Sequence, residues 1–158
     1  MAATPPSERA LVDALDGYER SIEVGIGRRP GVARALVDRG REVVAFDVEV
    51  SEAARDAATE TRASAGGSLR VAAADVTTLA AADGDRSVRE TLGLDAPEGG
   101  GFDAVYARNL PAELQRPTVA LAELLDAACL FTTLGFEEPV VDVSRRSTES
   151  GTVMYVAR

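Results

Sequence analysis

Short apolar runs and stretches of helical pattern alternate along this chain, and that alternation limits its fold more than any other feature. Ser21–Val24, Glu42–Asp47 (EVVAFD), Leu69–Ala74, Phe102–Ala107 and Ala128–Thr133 (ACLFTT) are short and mostly apolar. Such runs fit strands covered on both faces of a parallel sheet. A first helix is expected to begin at Ser7 as its N-cap, with Leu11, Leu15 and Tyr18 on one face. A second should start near Pro30, bury Val32, Ala35 and Leu36, and stop at Gly40. Ser51 is placed to cap an alanine-rich third helix running to about Ala63 and closed by Gly66 and Gly67.

Residues 76–101 are less regular. They read as a crossover with a helix near Ser87–Leu92 and a mobile acidic, glycine-rich tail over Pro97–Gly101. Another helix begins at Pro111 or Pro117 and turns Leu121, Leu124 and Leu125 inward. Pro139–Val143 and Thr152–Ala157 read as a closing antiparallel hairpin, because the polar loop between them is too short for a crossover helix. Repeated β–α alternation implies right-handed crossovers and an α/β, doubly wound, mainly parallel sheet of about seven strands. Residues 1–158 then form one Rossmann-like domain, with ligands expected beyond the carboxyl ends of the strands, where strand order reverses.

Absent residue types narrow the chemistry. The chain has no histidine, so the usual general base and the commonest metal ligand are missing. It has no lysine either: all 17 basic residues are arginine, which excludes a Schiff-base lysine and a Walker-type phosphate loop. One cysteine, Cys129, excludes an internal disulfide, and its apolar neighbours suggest a buried thiol. The net charge of −9 disfavours general nucleic-acid binding, which needs a basic footprint. An acidic chain without lysine also looks adapted to a salt-rich cytoplasm. No run approaches the roughly 20 apolar residues of a membrane span, and Met1–Arg9 lacks a signal-peptide pattern, so a cytoplasmic location is expected.

The candidate site follows from position. Glu23-Val24-Gly25-Ile26-Gly27 lies where the first strand meets the second helix, and glycines there let a ligand approach the backbone. Asp47 stands 20 residues after Gly27, at the end of the second strand, where a carboxylate can accept both hydroxyls of a ribose. Its carboxylate should be exposed without ligand, so Asp47→Ala should change folding stability by no more than about 0.5 kcal/mol. Asp75 ends the third strand and can take either an exocyclic amine or the N-cap of the next segment. Arg28, Arg29 and Arg108 lie near the same rim and could converge on a phosphate or carboxylate.

These residues resemble a known pattern. The Glu-x-Gly-x-Gly turn, Asp47 and Asp75 look like the cofactor motifs of class I S-adenosylmethionine-dependent methyltransferases, and the closing hairpin resembles that fold's reversed seventh strand. The whole chain is similar to an uncharacterised archaeal family of short Rossmann-like proteins. That similarity rests on Val24-Gly25-Ile26-Gly27-Arg28-Arg29-Pro30, Asp75-Val76-Thr77, Tyr106–Leu114 and Phe131-Thr132-Thr133-Leu134-Gly135. The methyltransferase resemblance implies that the methionine end of the cofactor lies near Glu23, Gly25 and Gly27. It implies ribose at Asp47, adenine at Asp75 and Val76, and an acceptor beside Asn109 and Pro111.

Two departures stand out: Arg29 replaces the third small residue of the turn, and Asn109-Leu110-Pro111 lacks the aromatic residue of the usual fourth motif. Methyl transfer suits a chain without histidine or lysine, because the cofactor brings its own leaving group. The alternatives are an NAD- or nucleotide-binding protein, and a non-enzymatic module whose crevice is filled by side chains. A homodimer is left open. A methyltransferase should show the inserted antiparallel strand and an open pocket beside Asn109, whereas a nicotinamide binder should lack that strand.

Overall fold

The computed structural model describes residues 5–62, 66–94, 101–135, 137–148 and 151–158. Seven strands form one sheet: β1 (Arg20–Val24), β2 (Glu42–Asp47), β3 (Ser68–Ala73), β4 (Ala104–Ala107), β5 (Ala128–Phe131), β6 (Ser144–Ser147) and β7 (Val153–Val156). Their spatial order is β3-β2-β1-β4-β5-β7-β6. The first five run parallel, and β7 enters antiparallel between β5 and β6. Strand order reverses between β1 and β4, where Glu23 pairs in register with Tyr106.

Helices α1 (Pro6–Leu15), α2 (Gly31–Asp38) and α3 (Glu52–Arg62) cover one face. Leu11, Leu15, Val32, Leu36, Ala54 and Ala57 pack there against Val43, Ala45 and Tyr106 of the sheet. Helices α4 (Val76–Ala80), α5 (Asp85–Thr91) and α6 (Ala112–Leu124) cover the other. Val76, Leu79, Val88 and Leu121 meet Ile22, Phe46, Val105 and Phe131 on that side. Alternate residues of β2 therefore feed opposite cores, which is why the run is apolar without a break.

The helix starts differ in detail from the expected ones. The N-cap of α1 is Pro5, with Pro6 and Ser7 already inside the first turn. Ser51 does cap α3: its Oγ accepts from the Ala54 N–H at 3.1 Å and donates to the Gly27 carbonyl at 2.6 Å. Pro111 is the N-cap of α6, and Pro117 lies inside that helix. The helix expected near Ser87–Leu92 is α5, and the segment for which Asp75 was an N-cap candidate is the short helix α4. Pro97–Gly100 lies outside the described residues.

The closing hairpin needs the clearest correction. Its first strand falls on the exposed Ser144–Ser147 rather than on Pro139–Val143. Val140 is exposed, and its N–H donates to buried Gln115 Oε1 at 2.7 Å, which holds that segment against α6 instead of in the sheet. As an edge strand β6 is defined by its backbone pairing to β7, so it needs no apolar side chains.

Among the described residues no helix is long and apolar enough to cross a membrane. No group of three or more metal-ligating side chains is found among them.

Candidate ligand site at the carboxyl edge of the sheet

After Val24 the chain turns through Gly25 and Gly27, both with positive φ (72° and 56°). Side chains are strained in that region, so glycine suits both positions. A Cβ built on Gly25 would meet nothing within 4 Å, so the backbone there is open to close approach. The turn is bonded to β2: the Gly25 N–H donates to the Phe46 carbonyl at 2.9 Å.

Asp47 closes this turn from the side. Its Oδ2 accepts the Gly27 N–H at 2.9 Å, and its Oδ1 accepts the Val48 N–H at 2.8 Å. The expectation of a free carboxylate is therefore corrected, since Asp47 already fastens the glycine turn to β2. An ionised carboxylate has about four acceptor positions, so two remain unused. Next to it Val48 is 70% exposed, an apolar surface on the rim that sequence reading did not single out.

Asp75 caps α4, accepting the Thr77 N–H at 2.8 Å through Oδ1. Val76 is buried in the core with Leu79 and Phe46, so its side chain is not part of the rim surface.

Glu23 lies directly below the turn. It is fully buried, and Tyr106 donates its hydroxyl to Oε1 at 2.7 Å. Desolvation pushes the Glu23 carboxyl up to about 7, against the opposing effects of the Tyr106 bond and of Arg108. Glu8 and Asp47 reinforce the rise. Burial likewise drives the Tyr106 phenol well above its ordinary value, aided by the Glu23 charge.

The three arginines take different surroundings. Arg28 and Arg29 are exposed, and Arg28 lines a cleft of about 660 Å³ together with Gly27, Glu49, Val50, Ser51 and Glu52. Arg108 instead pairs with buried Glu8 of α1 at 3.7 Å.

Past β4, Asn109 adopts a positive φ of 53°, and its N–H donates to Thr132 Oγ1 at 2.9 Å. The Leu110 N–H reaches the Thr132 carbonyl at 2.8 Å, while buried Gln115 donates to the Leu110 carbonyl at 3.3 Å. This hydrogen-bonded turn borders a second cleft, about 380 Å³, whose lining includes Asn109, Thr132, Thr133, Arg145 and Tyr155.

An open glycine turn, a strand-end carboxylate and a reversed β7 together define a class I methyltransferase-type Rossmann fold. Solved methyltransferase structures agree with it. Magnesium protoporphyrin IX methyltransferase from Synechocystis, crystallised with S-adenosylmethionine, superposes with a TM-score of 0.56 at 17% identity, covering 96% of this chain and 78% of that one. The 1,6-didemethyltoxoflavin-N1-methyltransferase of Burkholderia thailandensis, bound to S-adenosylhomocysteine, gives 0.54 at 15% identity, covering 95% and 59%.

The chain itself belongs to the uncharacterised protein family UPF0146, whose family model matches residues 58–158. UPF0146 proteins from two strains of Halobacterium salinarum are each 38% identical over 154 residues, spanning 98% of this chain and 96% of the relative. The resemblance to a short archaeal family is thus confirmed, and the lysine-free acidic composition is that of a chain with halophile relatives.

Proposed function

We propose that this protein binds S-adenosylmethionine along the carboxyl edge of β1, β2 and β3 and passes its methyl group to an acceptor beside Asn109. The bare approach to the Gly25 backbone carries this reading: no heavy atom from elsewhere in the described residues lies within 4 Å of where its Cβ would stand, whereas a module that only assembled with partners would pack side chains there. The antiparallel β7 favours it over NAD binding.

The residues fit such a ligand. Gly25 and Gly27 admit a group close to the backbone, with Glu23 buried beneath as their floor. Asp47 presents its two remaining acceptor positions to the ribose hydroxyls, and Val48 gives an apolar surface for the face of a base. Asp75 retains Oδ2 for an exocyclic amine, beside the Val76 N–H. Bound there, S-adenosylmethionine would supply an activated methyl group and its own thioether leaving group. The protein's part is then to orient the two reactants and exclude water. The cleft of about 380 Å³ past Asn109 admits a small acceptor, and Thr132, Thr133, Arg145 and Tyr155 are among its lining residues.

Calorimetric titration with S-adenosylhomocysteine and with NAD, in molar potassium chloride, tests the reading. One site for the homocysteine compound and none for NAD is expected. Asp47→Ala should weaken that site by about tenfold or more, the worth of a charge-assisted hydrogen bond. No binding in the wild-type chain, or equal affinity in the variant, would overturn it.

A further inference from the structure

We infer that Arg108 anchors the carboxylate of the ligand's amino-acid tail, and that Glu8 of α1 holds this place until the ligand arrives. The inference rests on the adenosyl reading above and extends it to two residues that no cofactor motif supplies.

Arg108 follows the last residue of β4. Tyr106 pairs with Glu23, so Arg108 and Gly25 each stand two residues beyond that pair, at the carboxyl edge of the sheet. Its side chain is only 13% exposed, whereas Arg28 and Arg29 are exposed. Buried guanidinium groups are normally satisfied by hydrogen bonds. Here Nε is buried with no hydrogen-bond partner among the described residues.

The nearest carboxylate oxygen, Glu8 Oε1, stands 3.7 Å from that Nε, beyond hydrogen-bond range. Glu8 is itself buried, its side chain 7% exposed. Two buried charges thus attract each other without the directional bonds that offset their desolvation. The Glu8 carboxylate also lies over the start of α2: a Cβ built on Gly31 would come within 3.1 Å of Oε1. An acid from α1 therefore occupies the space beside Arg108 that a ligand carboxylate would need. A free carboxylate can meet the planar guanidinium through two parallel N–H bonds, which the Glu8 geometry does not achieve. Binding then exchanges a loose internal pair for a tight one and releases Glu8.

The test compares S-adenosylhomocysteine, which has the carboxylate, with 5′-methylthioadenosine, which keeps the nucleoside but lacks the tail. Affinities are measured in wild type, Arg108→Gln, Glu8→Gln and the double variant, with thermal melting to confirm folding. Arg108→Gln should weaken the homocysteine compound by about tenfold or more and leave methylthioadenosine within about twofold. Glu8→Gln should strengthen the homocysteine compound several-fold and leave methylthioadenosine unchanged. The double variant removes both charges together, so it gives the same ratio test should Arg108→Gln alone not fold. If both ligands bind the wild type but their affinity ratio is unmoved by these substitutions, the inference is wrong and the adenosyl site stands. If neither ligand binds the wild type, the adenosyl reading fails and this inference falls with it.

Discussion

Across the β1–β4 junction, where strand order reverses, the Tyr106 hydroxyl donates to Glu23 Oε1 at 2.7 Å, joining two fully buried residues beneath the glycine turn. The bond places a titratable carboxyl in the core at the point where a ligand would enter, and it has a pH signature.

The Glu23 carboxyl is raised from 4.5 to about 7 by burial. Between those values the folded chain holds a proton that the unfolded chain has lost, so this group's stabilising effect is full below about 4.5 and fades as pH rises through 7. Glu23→Gln keeps an acceptor for Tyr106 and removes the titration. The variant's stability relative to wild type should rise by about 2 kcal/mol between pH 5 and pH 8. Urea denaturation at the two pH values measures it, and a constant difference would show that Glu23 does not titrate in that window.

Gly67 packs against backbone. A Cβ there would lie 2.3 Å from the Arg41 carbonyl and 2.6 Å from the Val37 carbonyl, neither of which can yield as a flexible side chain can. Gly67→Ala should cost about 3 kcal/mol by overpacking the α2–β3 contact. Gly101→Ala meets open space and should cost less than about 0.5 kcal/mol. Thermal melting of the pair checks the contrast.

Asp75 has a structural task whatever it binds. Removing its carboxylate leaves the Thr77 N–H without its cap, so Asp75→Ala should destabilise by about 1 kcal/mol. Asp75→Asn retains an acceptor oxygen and should lose clearly less, again by thermal melting. Equal losses in the two variants would contradict the capping role.

Cys129 is buried in β5, and desolvation pushes its thiol up to about 12 despite the opposing charge of Arg158. Little thiolate forms at neutral pH. The thiol should be silent to an aromatic disulfide reagent in the native protein and react at once in guanidinium chloride.

The sheet was legible because its central strands feed two cores at once, so Val43, Val44, Ala45 and Phe46 are apolar in unbroken succession. The edge was not, for the same reason inverted. Ser144–Ser147 carries two arginines and buries nothing, while the apolar Pro139–Val143 reads as strand yet is held by Gln115. Helix α4 has five residues, too few to show a helical period. At the candidate site, the glycine turn and Asp47 were visible through their spacing, and their hydrogen bond confirms that the two meet. That the Asp47 carboxylate would already be engaged, that Tyr106 would bond Glu23 and that Glu8 would face Arg108 depends on contacts between distant segments. Only the topology brings those segments together.

The central claim is that an adenosyl ligand occupies the crevice over the glycine turn, and amide chemical-shift mapping tests it most directly. On titration with S-adenosylhomocysteine to saturation, the amides of Gly25, Ile26, Gly27 and Val48 should shift most, together with that of Val76. An unchanged spectrum at millimolar ligand, or shifts confined to residues 49–53 with Gly25, Gly27 and Val48 unmoved, would contradict the account.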